Sequence, residues 1–110
     1  MIFQRLAFNL GNETVFISQE EILYCKIDES YTAIFLNDGN SVLTGKSLKE
    51  LEKILTPVLF VRIHNSTIIN TQFVESYLTE NDITVRMKNG TILGVSRRRK
   101  QEFLSRFLKL

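Results

Sequence analysis

A chain of 110 residues with net charge +2, 44% hydrophobic and 24% charged, has the length and mix of one globular domain with its own core. One proline and five glycines exclude a collagen-like or low-complexity chain. No apolar run approaches the ~20 residues of a membrane span, and the opening Met1-Ile2-Phe3-Gln4-Arg5-Leu6 lacks the apolar stretch of an export signal.

Short apolar runs separated by turn signals predict a mostly β domain of about ten strands. Residues 6–10 and 14–17 flank Gly11-Asn12 as a first hairpin. Ser18-Gln19-Glu20-Glu21 has the S-x-x-E form of a capping box and predicts a short helical turn. Strands follow at 22–27 and 31–36. Asn37-Asp38-Gly39-Asn40 then predicts a hairpin through a type I′ turn, with positive φ at both central residues, and 41–44 returns. Ser47-Leu48-Lys49-Glu50 is a second capping box. It opens a helix of about ten residues with Leu48, Leu51, Ile54 and Leu55 on its apolar face, and Pro57 stops it. Strands are expected at 60–63, 67–69, 73–78 and 83–87, and Asn89-Gly90 turns the last of these into 91–95. Residues 97–110 read as a terminal helix with Ser96 at its N-cap and an apolar stripe of Phe103, Leu104, Phe107 and Leu108.

Catalytic patterns are weak throughout. Gly45-Lys46-Ser47 resembles the end of a phosphate-binding loop, but the earlier glycine is missing and 41–44 reads as a strand. The lone Cys25 lies inside an apolar run, as a small buried hydrophobe does, and no oxyanion site accompanies it and His64. One cysteine permits no internal disulfide and, with no export signal, fits a reducing cytoplasm; one histidine leaves no metal-ligand spacing. The residues point to no enzyme, cofactor, metal or small-molecule substrate.

Charge is more informative. Residues 1–60 hold 5 Lys+Arg and 8 Asp+Glu, net −3, whereas 61–110 hold 9 and 4, net +5. That asymmetry directs an anionic partner to the second half. Arg97-Arg98-Arg99-Lys100 places four cations at the start of the terminal helix. There the helix dipole disfavours cations and unpaired N–H groups attract phosphate. Phe60-Val61-Arg62-Ile63-His64-Asn65-Ser66-Thr67-Ile68-Ile69-Asn70 sets a polar centre between two strands, where an Asn amide matches the major-groove edge of adenine.

At these stretches the chain resembles the LytTR family of bacterial DNA-binding domains. The resemblance runs nearly the whole length, through Ile22-Leu23-Tyr24-Cys25, Tyr31, Asp38-Gly39, Lys46-Ser47-Leu48-Lys49-Glu50-Leu51 and Phe60-x-Arg62-x-His64-x-Ser66. It continues with Ile69-Asn70 and Asn89-Gly90 and ends in Val95-Ser96-Arg97-Arg98. It implies an elongated stack of antiparallel β-sheets with one mid-chain helix and a C-terminal helix, filling 1–110 as a single domain. The implied function is sequence-specific binding of double-stranded DNA for transcription regulation. The chain would be the output domain of a two-component response regulator or a free-standing regulator. By the same resemblance Asn65, Arg97 and Tyr31 read bases, and Arg62, Ser66, Arg98 and Lys100 contact the DNA backbone. His64 is either a DNA contact or a structural residue. Many members carry Arg at the position of Asn65, and Asp28 and Glu29 beside Tyr31 would repel phosphate. A second copy on an adjacent half-site fits the same picture. The alternative from another class is a protein-interaction module whose basic C-terminal half docks on an acidic partner.

Overall fold

Alternation of side chains along the strands decides the architecture. The computed structural model describes residues 2–110. Its strands are β1 (Leu6–Leu10), β2 (Glu13–Ile17), β3 (Ile22–Asp28), β4 (Tyr31–Leu36), β5 (Ser41–Thr44), β6 (Phe60–His64), β7 (Thr67–Asn70), β8 (Val74–Leu78), β9 (Thr84–Met87) and β10 (Ile92–Gly94). Helix α1 (Leu48–Ile54) lies between β5 and β6, and α2 (Lys100–Leu104) follows β10. Three antiparallel sheets result: a β1-β2 hairpin, a central sheet in the order β5-β4-β3-β7-β6, and an outer sheet in the order β10-β9-β8.

Both faces of the central sheet's inner strands are covered, and β3, β4 and β7 bury consecutive residues on both sides, whereas edge strand β5 stays largely exposed. Cys25 and Ile68 turn to a core closed by the β1-β2 hairpin and α1, through Phe8, Leu48 and Leu51. Tyr24, Val61, Ile63 and Ile69 turn to a second core under the outer sheet and α2, through Val85, Met87 and Phe103. Each fully buried aliphatic side chain contributes about 1.5–3 kcal/mol. The layers stack into an elongated body of 46 × 34 × 24 Å.

Two buried polar side chains tie neighbouring segments together. Asn70 is fully buried; its Nδ2 donates to the Ile22 carbonyl (2.9 Å) and its Oδ1 accepts from Gln72 N–H (3.0 Å). Gln19 donates to the Gln4 carbonyl and accepts from Thr56 N–H, both at 2.8 Å, and so joins the chain start to the segment after α1.

Several local expectations are corrected. The hairpins at Asp38-Gly39 and Asn89-Gly90 are not type I′. In these two turns a single residue each is left-handed, Gly39 (φ 92°) and Gly90 (φ 91°), and each closes a three-residue loop. In the first, Gly39 N–H bonds the Leu36 carbonyl (3.1 Å) and Leu36 N–H bonds the Asn40 carbonyl (2.8 Å); this is a turn followed by a glycine bulge. Ser18 makes no side-chain cap, because Gln19–Glu21 is a single 3-10 turn too short for a capping box. The second box does form: Ser47 Oγ accepts from Glu50 N–H (3.1 Å), and Glu50 Oε1 accepts from Ser47 N–H (3.3 Å). Leu48, Leu51 and Leu55 are buried, but Ile54 is 47% exposed, since it lies about 120° round the helix from Leu48.

The terminal helix is the largest correction. Arg97–Arg99 form a 3-10 turn, and α2 covers only Lys100–Leu104. Beyond it, Arg106 and Phe107 N–H bond carbonyls three residues back, and the Ser105 hydroxyl takes the Glu102 carbonyl at 2.6 Å, which competes with the helix. Phe103 is buried, whereas Phe107 and Leu108 are exposed. The arginines therefore precede the helix instead of opposing its dipole. Ser96 caps nothing with its side chain, whose Oγ is buried without a partner.

Candidate nucleic-acid interface

The β6-β7 hairpin is built around a bulge. Arg62 pairs with Ile68 and His64 with Thr67, which leaves Ile63 as the extra residue. Its side chain is fully buried in the second core. Its carbonyl, freed from the ladder, accepts from Ser96 N–H at 2.8 Å. Bulges re-aim the chain in this way, and this one ties the 64–66 loop to the arginine turn.

The following carbonyls are also held from outside the hairpin's ladder. Arg62 Nε donates to the His64 carbonyl (3.2 Å), and Arg62 Nη2 makes a short bond to the Asn65 carbonyl. The Ser66 carbonyl accepts from Ile27 N–H on β3 (3.0 Å). Arg62 Nη1 bonds Glu52 Oε1 on α1 at 3.1 Å, and the Arg62 side chain is only 15% exposed. Arg62, expected at the DNA backbone, thus directs three of its five N–H donors inward.

Side chains of the loop sort differently. Asn65 is exposed, and its Oδ1 receives Arg98 Nη2 at 3.5 Å. That contact turns the amide oxygen toward Arg98 and the Nδ2 donor away from it. His64 is exposed, and its Nδ1 lies 3.1 Å from Ser66 N and 2.9 Å from Ser66 Oγ. A backbone N–H can only donate, so Nδ1 is an acceptor and the ring hydrogen sits on Nε2. The Ser66 hydroxyl also meets Thr67 Oγ1 (3.2 Å).

Arg97 and Arg98 are exposed; Arg99 and Lys100 are half-buried. His64 and Arg97 line one shallow hollow together with Asn81, Asp82 and Thr84. Tyr31 opens β4 opposite Asp28 and is 54% exposed. Ile27 precedes Asp28 and holds the Ser66 carbonyl, so Tyr31 stands at the same end of the central sheet as the 64–66 loop. Glu29, in the two-residue link between β3 and β4, has φ 56°. The fold therefore gathers Tyr31, His64, Asn65, Arg97 and Arg98 at one end. Glu52 and the Ile63–Ser96 bond are the parts that the sequence did not announce: the first is an ion pair across ten residues to α1, and the second uses the carbonyl of the bulged residue.

Cys25 is fully buried, and burial pushes its thiol up to about 12, which keeps it protonated. Among the described residues no group of His, Cys, Asp and Glu could hold a metal ion. No helix of the described residues is long and apolar enough to cross a membrane.

The family model of the LytTr DNA-binding domain matches residues 12–107. The sensory transduction protein LytT of Bacillus subtilis (strain 168) is 26% identical over 95 residues. The match covers 84% of this chain and 39% of that protein, so the chain spans about two fifths of its relative. A solved LytTr DNA-binding domain from Bacillus cereus superposes with a TM-score of 0.81 at 19% identity, covering 94% of this chain and 96% of that one. At that identity the likeness concerns the fold.

Proposed function

This chain belongs to the LytTR family of DNA-binding domains, and from that premise we propose that it reads double-stranded DNA with the end of the central sheet that carries the 64–66 loop, the arginine turn and Tyr31. The observation that carries this reading is the joining of the first two: Ser96 N–H bonds the Ile63 carbonyl, and Arg98 reaches the Asn65 amide. Two segments about thirty residues apart thereby act as one edge, an uncharged amide flanked by guanidinium groups.

In this arrangement Asn65 contacts adenine through its amide, and Arg97 contacts a guanine. Tyr31 is the third base contact, on a loop where Asp28 and Glu29 limit how closely phosphates approach. Arg98 and Lys100 bind phosphate, and Ser66 adds a phosphate contact when its hydroxyl turns from His64. His64 presents Nε2–H outward as a donor. Because the B. subtilis relative is a sensory transduction protein and more than twice as long, we read the chain as the output part of a response regulator, working in the cytoplasm. A second copy on an adjacent half-site extends the same contacts.

The test is binding to a duplex carrying a selected site as salt is raised. With roughly five to eight phosphate contacts, the log–log slope should be about −4 to −7. A slope near zero overturns the reading in favour of a neutral protein surface.

A further inference from the structure

We propose that Glu52 and Arg62 are positioning residues that fix the 64–66 loop and so set the base preference at Asn65. This rests on the reading of Asn65 as a base contact. Neither residue touches DNA in the proposal; both act through the loop backbone.

Four consecutive carbonyls of the loop are each held by a donor. Those of Ile63, His64, Asn65 and Ser66 accept from Ser96 N–H, Arg62 Nε, Arg62 Nη2 and Ile27 N–H in turn. The outer two holders are backbone groups of the outer end of the fold and of β3. The inner two bonds both come from one planar guanidinium. Its orientation is set from behind by Glu52 Oε1 at 3.1 Å. A planar fork can serve two neighbouring carbonyls and a carboxylate at once, whereas an ammonium cannot hold that geometry. The Arg62 side chain is 15% exposed and that of Glu52 is 42% exposed. Arg62 is therefore sheltered, and solvent competes for it less than for Arg97 or Arg98.

A carboxylate this close to a DNA-binding edge opposes binding through its charge. Two readings of the pair then predict opposite signs. If Glu52 merely neutralises a cation meant for phosphate, removing its charge frees Arg62 and raises affinity for every duplex. If Glu52 holds the brace, removing its charge lets the guanidinium turn and loosens Asn65. Affinity for the preferred site then falls although the protein has become more positive.

The experiment uses the whole chain, with thermal melts confirming that each variant is folded at the binding temperature. Glu52→Gln and Arg62→Lys are compared with Asn65→Ala on the preferred duplex, on single-position variants of it and on random DNA. The expected result is a loss of about tenfold on the preferred duplex for Glu52→Gln and Arg62→Lys. The base preference should relax at the position that Asn65→Ala relaxes, with affinity for random DNA held or raised. Combining Glu52→Gln with Asn65→Ala should add nothing to Asn65→Ala alone, since both act through one contact. Tighter binding of Glu52→Gln to all duplexes, with unchanged preference, overturns the brace. If Asn65→Ala relaxes a position that the other two leave intact, the brace is refuted and the base contact stands. If Asn65→Ala relaxes no position, the base contact itself is refuted, and this proposal with it.

Discussion

At the scale of single residues, Glu29 and Asn65 carry the sharpest expectations. Glu29 sits at φ 56° in the link between β3 and β4, a conformation that costs an L-residue about 1–2 kcal/mol. Glycine relieves that strain but loses about 0.5–1 kcal/mol to its freer unfolded chain. Glu29→Gly should therefore stabilise the protein by roughly 0.5–1 kcal/mol and raise Tm by about 2–5 °C; a lower Tm in a thermal melt without DNA would contradict it. Asn65→Ala should weaken the preferred duplex by about 1–3 kcal/mol and leave random DNA and the salt slope nearly unchanged. Asn65→Arg should move the preferred base from adenine toward guanine in a site selection. A destabilised Asn65→Ala protein with unaltered preference would instead make Asn65 a turn residue. The polar centre 64–66 was legible because apolar strands bracket it. The inward turn of Arg62 was not, because an arginine beside a polar loop reads as a surface cation until the bulge at Ile63 is known.

Among the elements, α1 is the clearest case of a local signal realised. Both reciprocal bonds of its capping box form, so Ser47→Ala should destabilise by about 1 kcal/mol in denaturant unfolding. The Ser47 backbone N–H, then its hydroxyl, hold the Glu50 carboxyl below its ordinary value, with Lys46 adding to the effect. A lowered folded pKa means that the unfolded chain takes up the proton first as pH falls. The contribution is thus complete above the ordinary carboxylate range near ~4.3 and is lost as pH drops through the lower folded value. Glu50→Gln should flatten that acid limb when stability is followed against pH. Strand positions were equally legible from short apolar runs between turn signals, and both glycine turns were found where expected. Their turn type was not readable, since Asp38 or Asn89 fits either sign of φ. The terminal helix was read too long because its stripe of Phe and Leu has helical spacing. Only one turn of that stripe finds an apolar surface, and Phe107 and Leu108 remain outside.

For the whole molecule, the charge asymmetry between halves was visible in the sequence, but its meaning came from the stack. The central sheet serves two cores at once, so opening either one disturbs β3 and β7. Cys25 lies fully buried on β3 with its thiol pushed up to about 12. It should resist a thiol reagent in the native protein and react only after global opening, where an unfolded cysteine titrates near ~8.5. Labelling should then report on the stability of the entire domain. Duplex DNA at 100 times its Kd should slow that labelling by about a hundredfold, because the ligand binds only the folded state. Fast labelling that DNA does not slow would mean that β3 is exposed by a local opening.

The row of captured carbonyls from Ile63 to Ser66 has a consequence for how such a domain changes targets. The holding is done by main-chain oxygens, which every amino acid supplies. The side chain at 65 makes one contact, with Arg98 at 3.5 Å, and holds none of the loop's carbonyls. The shape of the reading edge and the letter it reads are therefore encoded at separate positions. A lineage, or an engineer, can exchange the letter at 65 while the frame at 52, 62 and 96 stays fixed, and retargeting becomes a matter of single substitutions without a refolded loop.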